Sequence, residues 1–393
     1  MPFLRNAWYV AAWSRELTDR AALQRTLLGE SIALFRDSQG QPVALANQCP
    51  HRFAPLSGGK IRGDAIECPY HGLRFDRSGR CVHNPHGDGR IPQAARVTSY
   101  PLAERYGAVW IWMGEPERAN TTALPSYDFL DEQRFETSSG YLLTKAHYQL
   151  SADNLLDLSH FQFLHPETLG SDEMASRGEV SFEEAGDTVW SRRLCRGESL
   201  QAFVAGAFGV PPGLAVDRGL NVRWDAPGLM TIEVAVTPAG MPFEFGRVSL
   251  SGHFLTPETE ASTHYFFAFG LPKEMGDAAR MLVEYAVLGL MTPFEREDLP
   301  MLEAQQRALG GGDFWAARPV MLSIDGAAIR ARRIIERKLA EEARERDYAA
   351  TLRDSADSAD GYRGRRDDKA LNDKEERRDV ITVYPSGYAT QGE

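Results

Sequence analysis

Two short motifs that each combine a cysteine with a histidine constrain this chain more than any other feature. The first is Cys49-Pro50-His51 and the second is Cys68-Pro69-Tyr70-His71, with sixteen residues between His51 and Cys68. Proline and glycine flank both motifs, which is typical of loops at the tips of β-hairpins. Two such loops that meet tip to tip would bring two thiolates and two imidazoles together.

A [2Fe–2S] cluster of the Rieske type requires this ligand set, because two cysteines hold one iron and two histidines hold the other. Structural zinc is the alternative, since it also accepts two cysteines and two histidines. Zinc sites usually group the cysteines in one motif and the histidines in another, whereas each loop here contains one of each. The pattern therefore favours the cluster, with Cys49, His51, Cys68 and His71 as its ligands.

The chain has four cysteines, too few for a disulfide scaffold of this length. Cys81 and Cys195 are expected to be small buried residues. His83 and His86 lie in a segment with Asn-Pro and glycine, and we expect them to build a turn rather than to supply further ligands.

A second group of metal-ligating residue types lies in the segment 153–166. On an ideal helix Asp157 and His160 share a face, but His160 and His165 diverge by about 140°. Because Pro166 disfavours helix at the residue before it, the helix should end or distort there, and His165 can turn back towards His160. Such a pair supplies two ligands of a 2-His-1-carboxylate iron site; an ordinary core or surface role is the alternative. Asp157 is interpreted as a residue that accepts the free N–H of a metal-bound His160, as a bridge to a cluster histidine that carries the electron path, or as a simple helix cap or pairing residue.

The third ligand should be a carboxylate, and the segment 292–301 offers three. Thr292 and Glu295 form a capping-box pattern, which gives Glu295 a local role at a helix start. On a helical projection Asp298 points with the apolar face, and a buried carboxylate needs a cation or hydrogen-bond partners. Asp298 is therefore the predicted ligand, with Glu297 as the second choice.

Patterning divides the chain into three parts. Residues 1–115 alternate short apolar runs with turn residues and are predicted to be all-β, with strands at 31–35, 43–46 and 109–112 and a turn at 76–79. Residues 116–345 form a second domain that begins with a crossing segment to about 140. A helix over 147–164, strands at 231–237, 248–255 and 263–269 and helices from 278 onward follow. Residues 346–393 are charged and polar and are expected to be disordered.

Charge and hydropathy exclude several classes of protein. The formal net charge of −11 argues against nucleic-acid binding, which needs a basic surface. No run approaches about 18 apolar residues, so no membrane span is predicted, and the first residues do not resemble a signal peptide. We therefore expect a soluble cytoplasmic protein. No Gly-x-Gly-x-x-Gly fingerprint follows a strand, so NAD(P)H is expected to be used by a separate reductase.

Over roughly residues 3–340 the chain resembles Rieske non-haem iron oxygenases of the vanillate and dicamba O-demethylase group. The resemblance rests on the stretches 5–11, 49–57, 68–73, 153–160 and 256–262. It implies an α+β fold, in which an N-terminal all-β Rieske [2Fe-2S] domain is followed by a helix-grip catalytic domain of antiparallel sheet and helices. It also implies that His160, His165 and Asp298 hold a mononuclear Fe(II), with Asn154 nearby.

The resemblance further implies a homotrimer, in which His71 of one subunit faces Asp157 and His160 of the next. A reductase, with or without a ferredoxin, would supply electrons. At the substrate site His253 matches a histidine that holds a substrate carboxylate in the dicamba-type relatives, with a structural role as the alternative. The companion position is occupied by Asp225, which would repel a carboxylate and favour a substrate with a donor group.

The implied function is that of the oxygenase component of a multicomponent monooxygenase. It would use O2 to hydroxylate a C–H of a small aromatic substrate, and a hydroxylated methoxy group would collapse to formaldehyde and a phenol. Hydroxylation of an aryl methyl group and N-demethylation would use the same site. A Rieske electron carrier without catalytic iron is the alternative from another class, and a zinc-stabilised interaction protein is a third.

Overall fold

The computed structural model describes residues 3–363, and the chain divides into two compact units at the Glu342–Ala343 boundary. Ten strands form the first part of the larger unit: β1 (Trp8–Trp13), β2 (Leu23–Leu27), β3 (Glu30–Arg36), β4 (Pro42–Ala46), β5 (Lys60–Arg62), β6 (Ala65–Glu67), β7 (Arg74–Asp76), β8 (Cys81–His83), β9 (Leu102–Arg105) and β10 (Ala108–Trp112). They pair in three antiparallel sheets, β1-β10-β9, β2-β3-β4 and β5-β6-β7-β8. The predicted all-β character of this region is confirmed, and so are its three predicted strands.

The predicted turn at 76–79 is also present. The Gly79 N–H donates to the Asp76 carbonyl at 2.8 Å, and the positive φ of Gly79 (76°) is one that glycine adopts without strain. This turn closes the hairpin between β7 and β8. The second Cys/His motif lies at the opposite end of β7, in the loop that connects β6 to β7.

Seven strands form one antiparallel sheet in the second part: β11 (Phe135–Thr144), β12 (Glu179–Ala185), β13 (Thr188–Glu198), β14 (Val216–Asp225), β15 (Leu229–Pro238), β16 (Arg247–Thr259) and β17 (Ser262–Pro272). Their order is β11-β17-β16-β15-β14-β13-β12. The three predicted strands are confirmed, but the turn between β16 and β17 occupies only residues 260–261, which is less than the gap between the strands predicted at 248–255 and 263–269. The reason is that the register slips between Pro257 and Thr259, which lengthens β16 past the proline.

The helices are α1 (Tyr148–Leu156), α2 (Phe161–Leu164), α3 (Met174–Arg177), α4 (Ala202–Phe208), α5 (Asp277–Pro293), α6 (Leu299–Leu309) and α7 (Gly326–Arg363). The predicted continuous helix over 147–164 is wrong, since α1 ends at Leu156. Residue 346 is not a boundary of secondary structure, because α7 continues through it as far as Arg363; the expected disorder stays a prediction. The rest of the predicted tail, 364–393, lies outside the described residues.

One face of the seven-stranded sheet carries the largest core cluster. It packs against α1, α5 and the start of α7, with buried residues such as Leu155, Val283 and Ile334. This is the sheet-and-helix arrangement of the predicted α+β fold. The face is also where the candidate site lies, because residues of α1, α5 and the sheet all point into the same layer.

A second cluster joins the two parts of the unit. Trp13 and Trp110 of the N-terminal strands pack edge-on against Phe254 of β16, with ring centroids 6.3 and 5.2 Å away. Tyr127, in the connecting segment, also packs edge-on against this ring, with the centroids 4.9 Å apart. The aromatic contacts bury Phe254 completely, so the N-terminal strands and the large sheet share one core.

Truncation of Phe254 to alanine should lower the free energy of unfolding by about 3–5 kcal/mol, because it leaves a cavity between the two parts. The measurement is the urea midpoint followed by circular dichroism. Phe245→Ala is the matched control, since this phenylalanine is exposed, and its effect should stay within about 0.5 kcal/mol. Equal shifts in the two variants would contradict a shared core.

Candidate metal centres and active site

The two Cys/His loops have the same backbone geometry. The Cys49 carbonyl accepts from Phe53 N at 2.9 Å, and the Cys68 carbonyl accepts from Gly72 N at 3.1 Å. The fourth residue after each cysteine has a positive φ, 60° at Phe53 and 73° at Gly72. A non-glycine residue in this conformation is held there by its surroundings. The two loops therefore present their side chains in the same way to a common centre.

The four predicted cluster ligands lie together at the tips of these loops. Cys49 and Cys68 are buried in the core cluster of the small sheets, and the rings of His51 and His71 are 4.6 Å apart at the surface. Burial raises the pKa of the Cys49 thiol, and the facing Cys68 thiol adds to the effect. Two buried thiols beside two outer imidazoles match the donor set of a Rieske cluster, which binds its cysteine side inside and its histidine side at the edge.

Of the two histidines that were expected to build a turn, His83 is the last residue of strand β8 instead. His86 Nε2 lies 2.8 Å from the His71 backbone carbonyl, so its ring contacts the second cluster loop. We find Cys81 and Cys195 buried, with no disulfide among the four cysteines.

The second constellation forms where α1 is interrupted. At Asp157 the backbone leaves the helical region (φ −120°, ψ 94°), and the carboxylate accepts from Ser159 N at 3.0 Å and from Ser159 Oγ at 2.7 Å. This local cap starts a single 3₁₀ turn that ends at His160, and α2 follows and ends before His165. The break is larger than the one predicted from Pro166, and it places both histidines on the same side.

Three ligand atoms converge at this break. Asp298 Oδ1 lies 3.2 Å from His165 Nε2 and 3.5 Å from His160 Nε2. The three residues are also the one group of three or more potential ligands that the described residues bring within 4.8 Å of one another. The sequence prediction named all three.

Hydrogen bonds on the far side of each ring fix its tautomer. His160 Nδ1 donates to the Asp157 backbone carbonyl at 2.7 Å, and His165 Nδ1 donates to Glu297 Oε2 at 2.6 Å. Both Nε2 atoms therefore present a lone pair to Asp298. The His165 side chain is 0% exposed and its Nε2 has no hydrogen-bond partner, which is costly for a buried polar atom. A divalent cation at the centre satisfies all three groups, so the residues present fit a mononuclear iron.

The electrostatics point the same way. Burial would raise the pKa of Asp298, but the neighbouring imidazoles of His160 and His165 outweigh burial and lower it to about 2. Burial would lower the pKa of His165, but Asp298 and Glu297 raise it above the ordinary value. Asn154 Nδ2 donates to Asp298 Oδ1 at 3.0 Å. The carboxylate is thus held ionised and oriented, as a metal ligand must be.

The helix around Asp298 differs from the one predicted. No helix begins at Thr292, because α5 runs on through Pro293 and continues as a π-helical turn over Phe294–Asp298. The capping-box role of Glu295 is therefore wrong, and its side chain is exposed. The wider turn aims Asp298 into the site and lets the neighbouring Glu297 reach His165. Such π turns recur at functional sites.

Two residues contribute in a way that the sequence did not show. Glu297, predicted as an alternative ligand, instead orients His165, and Thr168 Oγ1 donates to the same oxygen at 2.9 Å. Arg193 of β13 donates to the Asp157 carboxylate at 3.2 Å. The predicted bond from His160 to the Asp157 carboxylate is wrong within this chain, since the backbone carbonyl accepts it. The carboxylate holds Ser159 and Arg193.

A cavity of about 120 Å³ extends from His160 and Asp298 between α4, α5 and the sheet. Its wall is mainly aliphatic and aromatic, with Phe203 and Phe208 of α4 and Phe294 of the π turn among the rings. The polar part consists of side chains from α1, the 3₁₀ turn after it, the π turn and the sheet: Asn154, His160, Asp298, Arg218, Ser249, Ser251 and His253. A flat apolar ligand would fit this space with one end at the metal ligands.

The two predicted substrate residues separate. His253 lines the cavity with its nitrogens 2.8 Å from Ser251 Oγ and 2.7 Å from the Tyr265 hydroxyl, and burial lowers its pKa to about 3. Asp225 is not a cavity residue. It lies one position beyond Trp224, whose cross-strand partner Met230 pairs with His253, so strand alternation turns Asp225 to the opposite face. There it accepts from Thr188 Oγ1 at 2.7 Å.

Comparison with known proteins agrees with both centres. Residues 7–101 match the Rieske [2Fe-2S] domain, and residues 144–341 match the vanillate O-demethylase oxygenase C-terminal domain. The chain belongs to this family of Rieske oxygenases. It is an oxidoreductase, the oxygenase component of a multicomponent Rieske monooxygenase system, with a [2Fe–2S] cluster and a mononuclear non-haem iron as its cofactors.

Three relatives illustrate the similarity. The chain is 40% identical to the oxygenase component of chloroacetanilide N-alkylformylase from Rhizorhabdus wittichii over 89% of this chain and 99% of the relative. It is 38% identical to the dicamba O-demethylase oxygenase component of Stenotrophomonas maltophilia over 86% and 98% of the two chains. The crystal structure of dicamba monooxygenase bound to 3,6-dichlorosalicylic acid superposes with a TM-score of 0.79 at 36% identity, covering 87% and 99%.

The described helices include none that combines the length and the apolar character of a membrane span.

Replacement of Glu297 by glutamine should weaken iron binding by about 10–100-fold, because the neutral amide no longer polarises His165. The measurement is iron content after dialysis against a graded series of chelator concentrations, with the visible spectrum of the cluster as an internal reference. Glu295→Gln, three residues from Asp298 and exposed, is the control and should retain iron. Equal retention in both variants would contradict the orienting role of Glu297.

Proposed function

We propose that this oxygenase removes an alkyl group from the oxygen or nitrogen of a small aromatic substrate by hydroxylating the attached carbon. The observation that carries the proposal is the apolar cavity that ends at His160, His165 and Asp298. Relatives named O-demethylase and N-alkylformylase support dealkylation as the outcome. The same cavity would also support a second reaction, hydroxylation of an aryl methyl group. A relative named as the iron-sulfur subunit of a toluene-4-sulfonate monooxygenase system supports this second reaction.

The proposed assignment of residues follows the geometry. Cys49, His51, Cys68 and His71 hold the cluster, and His160, His165 and Asp298 hold the iron. When bound, the iron supplies O2 activation, and the cluster supplies single electrons. The cavity residues then orient the ring so that its alkyl group lies beside the three ligands, and their apolar side chains exclude water.

The protein's own groups keep the site in order. The Asp157 carbonyl and the Glu297 carboxylate hold a proton on Nδ1 of each histidine, so Nε2 stays free to bind metal. Asn154 donates to Asp298 and restrains the oxygen that faces both rings. Hydroxylation of the carbon next to oxygen gives a hemiacetal, and next to nitrogen it gives a carbinolamine. Either product breaks down to an aldehyde and the dealkylated aromatic compound without help from the protein.

We also propose a homotrimer in which the cluster of one subunit lies beside the iron site of the next. Two apolar surfaces among the described residues support it. Phe53 (69% exposed) and Tyr70 (64% exposed) flank the cluster histidines, and Phe163 and Val320 are exposed near the groove that Asp157 and His160 line. Exposed large apolar residues beside both centres support an interface there, because extended apolar surface marks sites of protein–protein contact. His71 of one subunit would then face Asp157 of its neighbour.

Electrons are proposed to come from a separate NAD(P)H-dependent reductase, directly or through a ferredoxin. The expected location is the cytoplasm, which is supported by four cysteines that form no disulfide. No nucleic acid enters the proposal, in keeping with the net charge of −11.

The function is tested by iron and acid-labile sulfide analysis with EPR, together with formaldehyde release from aryl methyl ethers. The wild-type protein should contain about three irons and two sulfides per chain. His160→Ala should contain about two irons, keep the Rieske EPR signal and release no formaldehyde. Two irons in both proteins would instead indicate an electron carrier without catalytic iron.

The role of Asp157 between subunits is tested separately. Asp157→Asn should slow reoxidation of the reduced cluster in a single turnover by about 10–100-fold, because the amide cannot accept the same hydrogen bonds. Iron content, cluster and oligomeric state should stay unchanged. Asp225→Asn is the matched control, since Asp225 lies on the opposite face of the sheet, and it should react at the wild-type rate. A wild-type rate for Asp157→Asn would contradict the proposal that electrons pass from His71 of one subunit through Asp157 of the next to the iron.

A further inference from the structure

The cavity next to the iron ligands contains almost no charge that a substrate could use. Among its lining residues in the described part of the chain, Arg218 is the only arginine or lysine. Its guanidinium forms a two-pronged pair with the Glu198 carboxylate, with Nε donating at 2.9 Å and Nη2 to the other oxygen, and Nη1 donates to the Leu169 carbonyl at 3.1 Å. Both side chains are buried, at 2% and 0% exposure. The positive charge is therefore neutralised before a substrate arrives.

Breaking this pair to bind an anion would leave Glu198 as an uncompensated buried charge. Such a loss of one partner is strongly unfavourable inside a protein. Glu198 is not among the cavity residues, so a ligand cannot replace it without displacing the guanidinium. Arg218 is thus a fixed part of the wall rather than a receptor for a carboxylate.

The histidine in the wall is also neutral and has no proton to offer. Ser251 Oγ donates to the Ile232 carbonyl at 3.3 Å, so its one proton is used. His253 Nε2 must then donate to Ser251 Oγ, and the Tyr265 hydroxyl must donate to His253 Nδ1. This chain of bonds uses every proton of the three side chains. A substrate meets an aromatic edge, and not a hydrogen-bond donor, at His253.

The neighbouring positions on β15 are apolar. Met230 pairs with His253 and Ile232 pairs with Ser251 across the strands, and of these two Ile232 lines the cavity. At the metal end, an Fe(II) charge of +2 is matched by the two carboxylates of Asp298 and Glu297. The iron centre therefore adds no net positive charge that would attract an anion.

We infer that the cavity selects uncharged aromatic substrates and discriminates against aromatic carboxylates. The inference rests on the proposed function, because it assumes that this cavity receives the substrate. The physical reason is that an ionised carboxylate would lose its water without gaining a cation or a set of donors. The apolar rings and aliphatic side chains of the wall favour a neutral ring of the same size.

The first test uses a pair of ligands with the same shape, 4-methoxybenzamide and 4-methoxybenzoate. Calorimetric titration of the iron-loaded wild-type enzyme without reductant measures binding without turnover. The amide should bind at least about tenfold more tightly. Equal affinities, or tighter binding of the carboxylate, would overturn the inference, and so would a failure of both ligands to bind.

A charge-reversal test uses Glu198→Gln. This change leaves Arg218 without its counter-charge, so affinity for 4-methoxybenzoate should rise at least about tenfold relative to the amide. The double variant Glu198→Gln with Arg218→Met is the control and should restore the preference for the amide. If the single variant keeps the wild-type preference, the pair is not what sets selectivity. Should the variants fail to fold, the wild-type titration still decides the inference.

Turnover separates this inference from the proposed function. Formaldehyde release from the carboxylate alone would overturn the inference and leave dealkylation standing. Tight binding of the amide with no product from any aryl ether or N-alkyl compound would leave the charge selectivity standing and remove dealkylation.

Discussion

A carboxylate oxygen that faces two imidazole lone pairs at 3.2 and 3.5 Å is the interaction on which the rest of the site depends. A cation bound between these three groups would offset the cost of burying them, because unpaired polar atoms are costly inside a protein. Asp298 comes from the π turn after α5, and His160 and His165 come from the interrupted end of α1. The metal site thus joins two segments that are more than a hundred residues apart in sequence.

Hydrogen bonds from the surrounding structure restrain each of the three candidate ligands. Glu297 and the Asp157 carbonyl fix the tautomers, Asn154 holds Asp298, and Arg193 anchors the Asp157 carboxylate from the sheet. Restraints of this kind keep the ligand geometry from relaxing and tune the metal. The side of this centre that faces the metal ligands is polar, and the side that faces the cavity is apolar. The residues that would bind metal are therefore distinct from those that would contact the ring of a substrate.

The cluster and the iron site could be predicted to different depths. Both Cys/His loops are local motifs, so their ligands could be named from spacing alone. His160 and His165 could be named because a proline follows the second, although the break occurs earlier, at Asp157, where a side-chain cap competes with the helix. Glu295 was given a capping role that is absent, since α5 does not start anew at Thr292. Asp225 was assigned to the substrate site by correspondence, but strand alternation turns it away.

The sequence by itself determined the two ligand sets, the all-β start of the chain and the antiparallel sheet, because these depend on residue type and on short-range periodicity. The sequence already placed Asp298 ahead of Glu297 as the predicted ligand, but tertiary structure alone showed that Glu297 orients His165, since the π turn brings the side chains of both adjacent residues to the site. Tertiary structure also decided the charge of the cavity. From the sequence alone Arg218 would be expected to give the cavity a positive charge. In the folded protein the buried carboxylate of Glu198, on the neighbouring strand, neutralises that charge. Ion pairs between residues on different strands leave no pattern in the local sequence, so they can be identified only in the folded protein.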